Sequence, residues 1–209
     1  MIGILDYGMG NLGSVQNACD ALEIPARLLK SPSEMEEMQG LLMPGQGAFR
    51  DCMIHLQDQG WVEPLRTWVK ADKPFFGICM GLQVLFEASE ESPGTEGLGL
   101  LPGTVKKFPE NEERKVPQMG WNRCQWTKQQ PFFPEDVDRS HYYFVHSYYV
   151  PMADAPWVAG TTHYGCEYVS AVSFGNCHAV QFHPEKSQKN GLALLKHFSE
   201  HVQGPDVSI

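Results

Sequence analysis

One cysteine, Cys79, lies in a sequence context that is typical of a catalytic nucleophile. It follows an apolar run at residues 74–78, and the glycines Gly77 and Gly81 lie two positions before and after it. An apolar strand, Gly-x-Cys-x-Gly and a helical run form the pattern of a nucleophile elbow, whose sharp turn lets the side chain project above a sheet. The amino end of the helix expected after Cys79 favours the thiolate, which is the nucleophilic form of cysteine. A buried cysteine in a turn between glycines is the alternative interpretation.

A histidine and a carboxylate that suit this nucleophile occur later in the chain. His183 and Glu185 follow a short apolar run at residues 180–182 and flank a proline. This spacing favours a relay in which His183 takes and returns the proton of Cys79 while Glu185 orients and stabilises the imidazolium. By itself, the segment also fits a surface turn.

A glycine-rich loop follows a third apolar run, at residues 41–43. The backbone N–H groups of Gly45, Gln46 and Gly47 are candidates to face a developing oxyanion, with the N–H of Met80 as second donor. Glycines on both sides of Gln46 leave its peptide free to rotate, so the loop also suits a gate that switches these donors on.

The surrounding sequence predicts an α/β fold that positions these groups at strand ends. Strands are predicted at residues 3–6, 26–29, 41–43 and 74–78, and helices between them at residues 15–22, 49–56 and 61–69. This alternation indicates a mostly parallel, flavodoxin-like central sheet flanked by helices, with ligands at the carboxyl ends of its strands. Later runs at residues 104–108, 142–150, 157–162, 168–174 and 178–182 predict an antiparallel portion in the C-terminal half. A closing amphipathic helix is predicted at residues 191–201.

Composition narrows the class of protein. The 209 residues suit one domain spanning residues 1–209, and the formal charge of -9 argues against a nucleic-acid partner. No apolar run resembles a signal peptide or a membrane span, so we expect a cytoplasmic protein without a membrane partner.

The cysteines form no C-x-x-C pair, and His197 and His201 lack a third ligand, so we expect no metal. The pattern G-x-G-x-x-G at residues 8–13 lacks an acidic residue after the second strand, so we expect no nucleotide cofactor. The charged stretch at residues 87–91 is interpreted as a solvated loop.

The three motifs together resemble class I glutamine amidotransferases of the triad type, and the resemblance covers essentially the whole chain. It implies that Cys79 attacks the amide carbon of glutamine, that His183 protonates the departing ammonia, and that water hydrolyses the glutamyl thioester. It also implies that Gln83, Ser147 and Tyr148 help to bind the glutamine substrate.

Four further segments are similar to the glutaminase subunits of imidazole glycerol phosphate synthases, at residues 6–12, 117–122, 145–149 and 183–187. In that family the subunit forms a heterodimer with a (β/α)8-barrel cyclase and passes ammonia into the barrel. The cyclase makes imidazole glycerol phosphate and aminoimidazole carboxamide ribotide for histidine and purine synthesis.

The same resemblance places Asn11, Trp121 and Lys186 at the interface with the barrel. The alternatives are a helix cap for Asn11, a core aromatic for Trp121 and a solvated charge for Lys186. Two other functions stay open: another cysteine hydrolase of the same architecture, such as a γ-glutamyl hydrolase or peptidase, and a regulatory subunit without catalysis.

Overall fold

A computed structural model of the protein describes residues 1–109, 115–127, 132–133 and 141–204. Strands and helices alternate in the first half as the periodicity predicts. A 3-10 helix at Pro32–Glu37 links the second and third strands. The elements are β1 (Ile2–Leu5), α1 (Leu12–Ala21), β2 (Ala26–Leu29), β3 (Gly40–Met43), α2 (Phe49–Asp58), α3 (Val62–Lys70), β4 (Phe75–Ile78), α4 (Met80–Gln83) and β5 (Phe86–Ser89).

Strands dominate the second half, and one long helix closes it. A short 3-10 helix at Pro184–Lys186 precedes that last helix. The elements are β6 (Leu101–Lys107), β7 (Gln118–Arg123), β8 (Gln125–Trp126), β9 (His141–His146), β10 (Tyr148–Pro151), β11 (Val158–His163), β12 (Glu167–Phe174), β13 (Cys177–Val180) and α5 (Gln188–Gln203). No helix in the described ranges is long and apolar enough to cross a membrane.

The central sheet has the strand order β2-β1-β3-β4-β13-β12-β10-β6-β5. Its strands are parallel from β2 to β13, and the pairs from β13 through β12 and β10 to β6 are antiparallel. Every residue of β1, β3, β4 and β13 is buried, as expected for strands covered on both faces. The predicted fold class, a mostly parallel sheet with an antiparallel portion in the C-terminal half, is therefore confirmed.

The single strand predicted at residues 142–150 is wrong, because two strands, β9 and β10, form there on either side of Ser147 and belong to different sheets. β9 pairs with β7 in a separate two-stranded sheet, whereas β10 pairs with β12 and β6 in the central sheet. The hydrophobic pattern alone does not show this change of sheet, because aromatic and aliphatic residues continue on both sides of Ser147. The pattern also missed β5, β7 and β8.

The sheet brings distant parts of the chain to one edge. Parallel pairing sets Ile78 of β4 beside Val180 of β13, so the residues that follow both strands leave the sheet at the same level. The N–H of Cys79 continues this ladder by donating to the carbonyl of Val180 at 2.8 Å. Met43 pairs with Gly77 on the other side, which places the end of β3 next to the same edge.

Candidate active site

Cys79 occupies a strained turn directly after β4. Its backbone has φ 55° and ψ -101°, a left-handed conformation that a non-glycine residue adopts at a cost of about 1–3 kcal/mol. Close packing explains the first flanking glycine, because a Cβ on Gly77 would lie 2.5 Å from the carbonyl oxygen of Gly81. The turn therefore has the elbow geometry that the motif predicts. The following helix is shorter than expected: α4 has a single turn, so its dipole contributes little to a negative charge on Cys79.

His183 and Glu185 form a buried pair next to this turn. The His183 Nδ1 lies 2.8 Å from the Glu185 Oε1, and each side chain is only 2% exposed. Burial lowers the pKa of His183, but the neighbouring Cys79 and Glu185 outweigh it and raise the pKa to about 10. Both of these neighbours therefore favour the charged form of the imidazole.

A cavity of about 480 Å³ opens at this edge of the sheet. It contains the predicted nucleophile and base together with most of the other predicted site residues. Glu185 lies behind His183 rather than on the wall. The lining is formed by Gln46, Gly47, Cys79, Met80, Gln83, Glu91, Pro117, Tyr143, Val145, His146, Ser147, Tyr148, His183 and Lys186.

The predicted oxyanion loop reaches the cavity at two of its three residues. Gln46 and Gly47 line the wall beside Met80, and Gly47 has φ 94°, which favours glycine. Gly45 packs against the elbow, where an added Cβ would lie 2.5 Å from the Cβ of Met80. The hydroxyl of Tyr7 donates to the carbonyl of Pro44 at 2.8 Å and holds the start of the loop.

The predicted substrate residues also line the cavity. Gln83 is 2% exposed, and its Nε2 donates to the carbonyl of Tyr148 at 3.1 Å. The same carbonyl lies 2.7 Å from Nδ1 of His146, and burial lowers the pKa of His146 to about 4. Since a carbonyl only accepts, this neutral imidazole carries its proton on Nδ1. Ser147 lines the cavity between these residues.

The interpretation of residues 87–91 as a solvated loop is wrong, because residues 87–89 belong to β5 and Glu91 lines the cavity. This half-buried side chain lines the cavity and accepts a hydrogen bond from the N–H of Phe49 at 2.7 Å. Burial is the largest effect on its carboxyl group and raises the pKa. Phe49 comes 42 residues earlier in the chain, so no local pattern in the sequence gives this contact.

The three residues assigned to an interface have different surroundings. The side chain of Asn11 caps α1 by accepting from the N–H of Ser14 at 3.2 Å, which confirms its alternative role as a helix cap. Trp121 is 49% exposed and packs edge-on against Tyr143, so the core interpretation of Trp121 is wrong. Lys186 lines the cavity.

Comparisons with known proteins agree with this geometry. The family model described as "Glutamine amidotransferase class-I" matches residues 4–202. Two similar relatives are both named imidazole glycerol phosphate synthase subunit HisH. The one from Desulfitobacterium hafniense (strain DSM 10664 / DCB-2) is 46% identical over 202 residues, which cover 97% of this chain and 95% of the relative. The one from Moorella thermoacetica is 45% identical, with the same coverage of both chains.

Solved structures support the fold. A structure described as "Crystal structure of glutamine amidotransferase" aligns with a TM-score of 0.73 at 20% identity, over 95% of this chain and 99% of the other. A glutamine amidotransferase from Thermotoga maritima aligns with a TM-score of 0.64 at 16% identity, over 96% of both chains.

Proposed function

Because the chain belongs to the class-I glutamine amidotransferase family, we propose that it is the glutaminase subunit of an imidazole glycerol phosphate synthase. In this role it hydrolyses glutamine to glutamate and ammonia for a cyclase subunit in histidine biosynthesis. Relatives with the corresponding name are 41–46% identical to it over nearly their whole length. The observation that carries the chemistry is the approach of Cys79, His183 and Glu185 at one edge of the sheet.

The reaction uses the pair of Cys79 and His183 twice. The thiolate attacks the side-chain amide carbon of glutamine, and His183 gives its proton to the nitrogen as the C–N bond breaks, which releases ammonia. A glutamyl thioester remains on Cys79. Water then attacks the thioester while His183 takes a proton from it, and the departing sulfur and the imidazolium restore the starting pair. Glu185 holds Nδ1 so that Nε2 faces the reaction.

The oxyanion that forms in both steps needs donors above the elbow. The N–H groups of Met80 and of the loop with Gly45, Gln46 and Gly47 serve this purpose in our proposal. Loss of one such donor typically costs about 100- to 1000-fold in turnover. A loop that turns a carbonyl toward the site in one state and an N–H in the other would therefore keep the resting rate low.

Glutamine also carries an α-ammonium and an α-carboxylate that the pocket must accept. The carboxylate of Glu91 on the cavity wall is complementary to the ammonium group. Gln83, Ser147 and Tyr148 supply further polar groups to the cavity lining, which fits their proposed contacts with the substrate.

An exposed apolar strip next to the cavity is a suitable docking surface for the cyclase. Met119 is 64% exposed and Trp121 is 49% exposed, and they lie directly opposite Val145 and Tyr143 in the β7–β9 sheet. Residues directly opposite in an antiparallel pair share one face, and Val145 and Tyr143 also line the cavity. Exposed apolar patches mark interaction sites. We place the (β/α)8 barrel on this strip, where ammonia leaves the cavity into the partner.

Asn11 and Lys186 are proposed to pass the state of the partner to the active site. Gly10, next to Asn11, packs against the oxyanion loop: a Cβ there would lie 3.3 Å from the carbonyl group of Pro44. Asn11→Ala removes the helix cap as well, at about 1 kcal/mol, whereas Asn11→Ser keeps a capping oxygen. We expect both variants, and Lys186→Ala, to weaken stimulation by the partner more than glutamine binding. Full stimulation in Asn11→Ser would assign Asn11 to capping alone.

Two assays test the proposed function together. The chain mixed with a (β/α)8-barrel cyclase should support product formation from glutamine, and Cys79→Ala should support it from ammonia only. A γ-glutamyl hydrolase or peptidase would release glutamate at the same rate without the cyclase. A regulatory subunit without catalysis would give no ammonia from glutamine under any condition.

A further inference from the structure

The side chain of Gln181 is completely buried and contacts both the proposed nucleophile, Cys79, and the proposed substrate residue Gln83. It follows β13 directly, at the level where Cys79 follows β4. Its Nε2 lies 3.5 Å from Sγ of Cys79, and its Oε1 accepts from Nε2 of Gln83 at 3.0 Å. We propose that Gln181 donates a hydrogen bond that stabilises the Cys79 thiolate, an inference that rests on the nucleophilic role proposed above.

The backbone carbonyl of Tyr148 fixes the direction of this hydrogen bond, because hydrogen bonds link it to Gln83, Gln83 to Gln181, and Gln181 to Cys79. The carbonyl of Tyr148 only accepts, so Gln83 must turn its NH2 group toward it. The same NH2 group then requires an acceptor at Gln181, which places Oε1 of Gln181 on that side. The remaining end of the Gln181 carboxamide is its NH2 group, and this end faces the sulfur.

An N–H group held against sulfur favours the anion. A thiolate is a stronger hydrogen-bond acceptor than a thiol, and a hydrogen bond to a charged group is worth more than a neutral one. The thiolate of Cys79 is therefore held between the imidazolium of His183 and the neutral donor of Gln181. This second contact is important here because the single-turn helix α4 contributes little dipole to the charge.

A purely structural role for Gln181, as a buried link between strands, makes a different prediction. Loss of the link would lower the amount of folded protein, but it would leave the pH dependence of the thiol unchanged. Loss of the donor instead moves the pH at which the thiolate forms. The two roles are therefore separated by a pH profile rather than by activity alone.

The experiment measures the rate of Cys79 alkylation by iodoacetamide from pH 5 to pH 10, with peptide mapping to identify the modified cysteine. Gln181→Met keeps the approximate size of the side chain and removes both hydrogen bonds. Gln181→Glu keeps the length and the acceptor toward Gln83. Its carboxyl ionises before a thiol does, so a carboxylate then opposes the thiolate. Thr162→Val is the matched control. Thr162 is 1% exposed and donates a hydrogen bond of 2.7 Å to Ser170, and neither residue lines the cavity.

We expect the midpoint of the alkylation profile to rise by about one pH unit in Gln181→Met, since each unit corresponds to a tenfold change in the thiolate fraction. Gln181→Glu should shift it further, and Thr162→Val should leave it unchanged. Identical midpoints in all four proteins would overturn the role of Gln181 while leaving Cys79 as the nucleophile. Alkylation of a different cysteine in the wild type would instead contradict the proposed function itself.

Discussion

Replacement of Glu185 by glutamine separates the charge of the buried pair from its shape. In Glu185→Gln an amide oxygen can still accept from Nδ1 of His183, which lies 2.8 Å from the carboxylate in the wild type. Only the negative charge is lost. A hydrogen bond to a charged group contributes about 1.5–3 kcal/mol and a neutral one about 0.5–1.5 kcal/mol, so losing the charge should cost about 1–1.5 kcal/mol and lower kcat/KM by about 5- to 12-fold.

The loss should also depend on pH. Glu185 is one of the two neighbours that raise the pKa of His183 to about 10, so the variant should have a lower pKa. In the proposed mechanism, His183 must be protonated to give its proton to the departing ammonia. In Glu185→Gln, His183 loses this proton at a lower pH than in the wild type. The alkaline limb of the rate profile should therefore move toward neutral pH. The defect should accordingly be larger at pH 9 than at pH 7.

The assay is glutamine-driven product formation with the cyclase, followed from pH 6 to pH 10, with ammonia-driven synthesis as an internal control. Glu90→Gln is the control variant, because the carboxylate of Glu90 also accepts a hydrogen bond, in this case from the backbone N–H of Lys107 at 3.0 Å, but does not line the cavity. It should behave as wild type. A Glu185→Gln enzyme with wild-type rates, or with the same defect at every pH, would refute the reasoning.

Three other outcomes follow from the structure. Iodoacetamide should modify Cys79 before Cys52 and Cys177, because burial raises the pKa of Cys52 to about 12 and that of Cys177 well above its usual value; mass spectrometry showing the reverse order would contradict this. Burial lowers the pKa of His146 to about 4 and that of His178 to about 3, so between about pH 6.5 and those values only the unfolded chain gains these protons. The free energy of unfolding should therefore fall as pH falls through this window, by on the order of 3 kcal/mol for His146. Denaturant titrations that give the same free energy of unfolding at pH 7 and pH 4.5 would contradict this. Glutaminase turnover should rise from the chain alone, to the chain with the cyclase, to the complex with the nucleotide substrate of the cyclase; equal rates in all three would exclude gating by the partner.

The sequence predicted the parallel half of the fold well because the signals there are local. Buried parallel strands appear as short apolar runs, and the boundaries of β2 agree with the predicted residues 26–29. The antiparallel half was less predictable. β7 carries the polar and glycine residues of the segment Gln118–Arg123, and its strand form depends on pairing with β9.

The candidate site shows the same division between local and distant information. The elbow at Cys79 and the turn with His183 and Glu185 are visible as motifs because their backbone geometry requires particular neighbours. Glu91 and Gln181 were not identified, since their surroundings depend on contacts with Phe49 and Gln83 from other parts of the chain. A single charged or amide side chain gives no local sign of such contacts.

The most direct test of the account is to identify the residue that becomes covalently bound to substrate. The complex with the cyclase should be treated with an electrophilic glutamine analogue and digested, and the labelled peptide identified by mass spectrometry. We expect one label per chain, on Cys79, together with complete loss of glutamine-driven synthesis and full retention of ammonia-driven synthesis. A label on another residue with Cys79 unmodified, or continued glutamine hydrolysis by Cys79→Ala, would contradict the proposed mechanism.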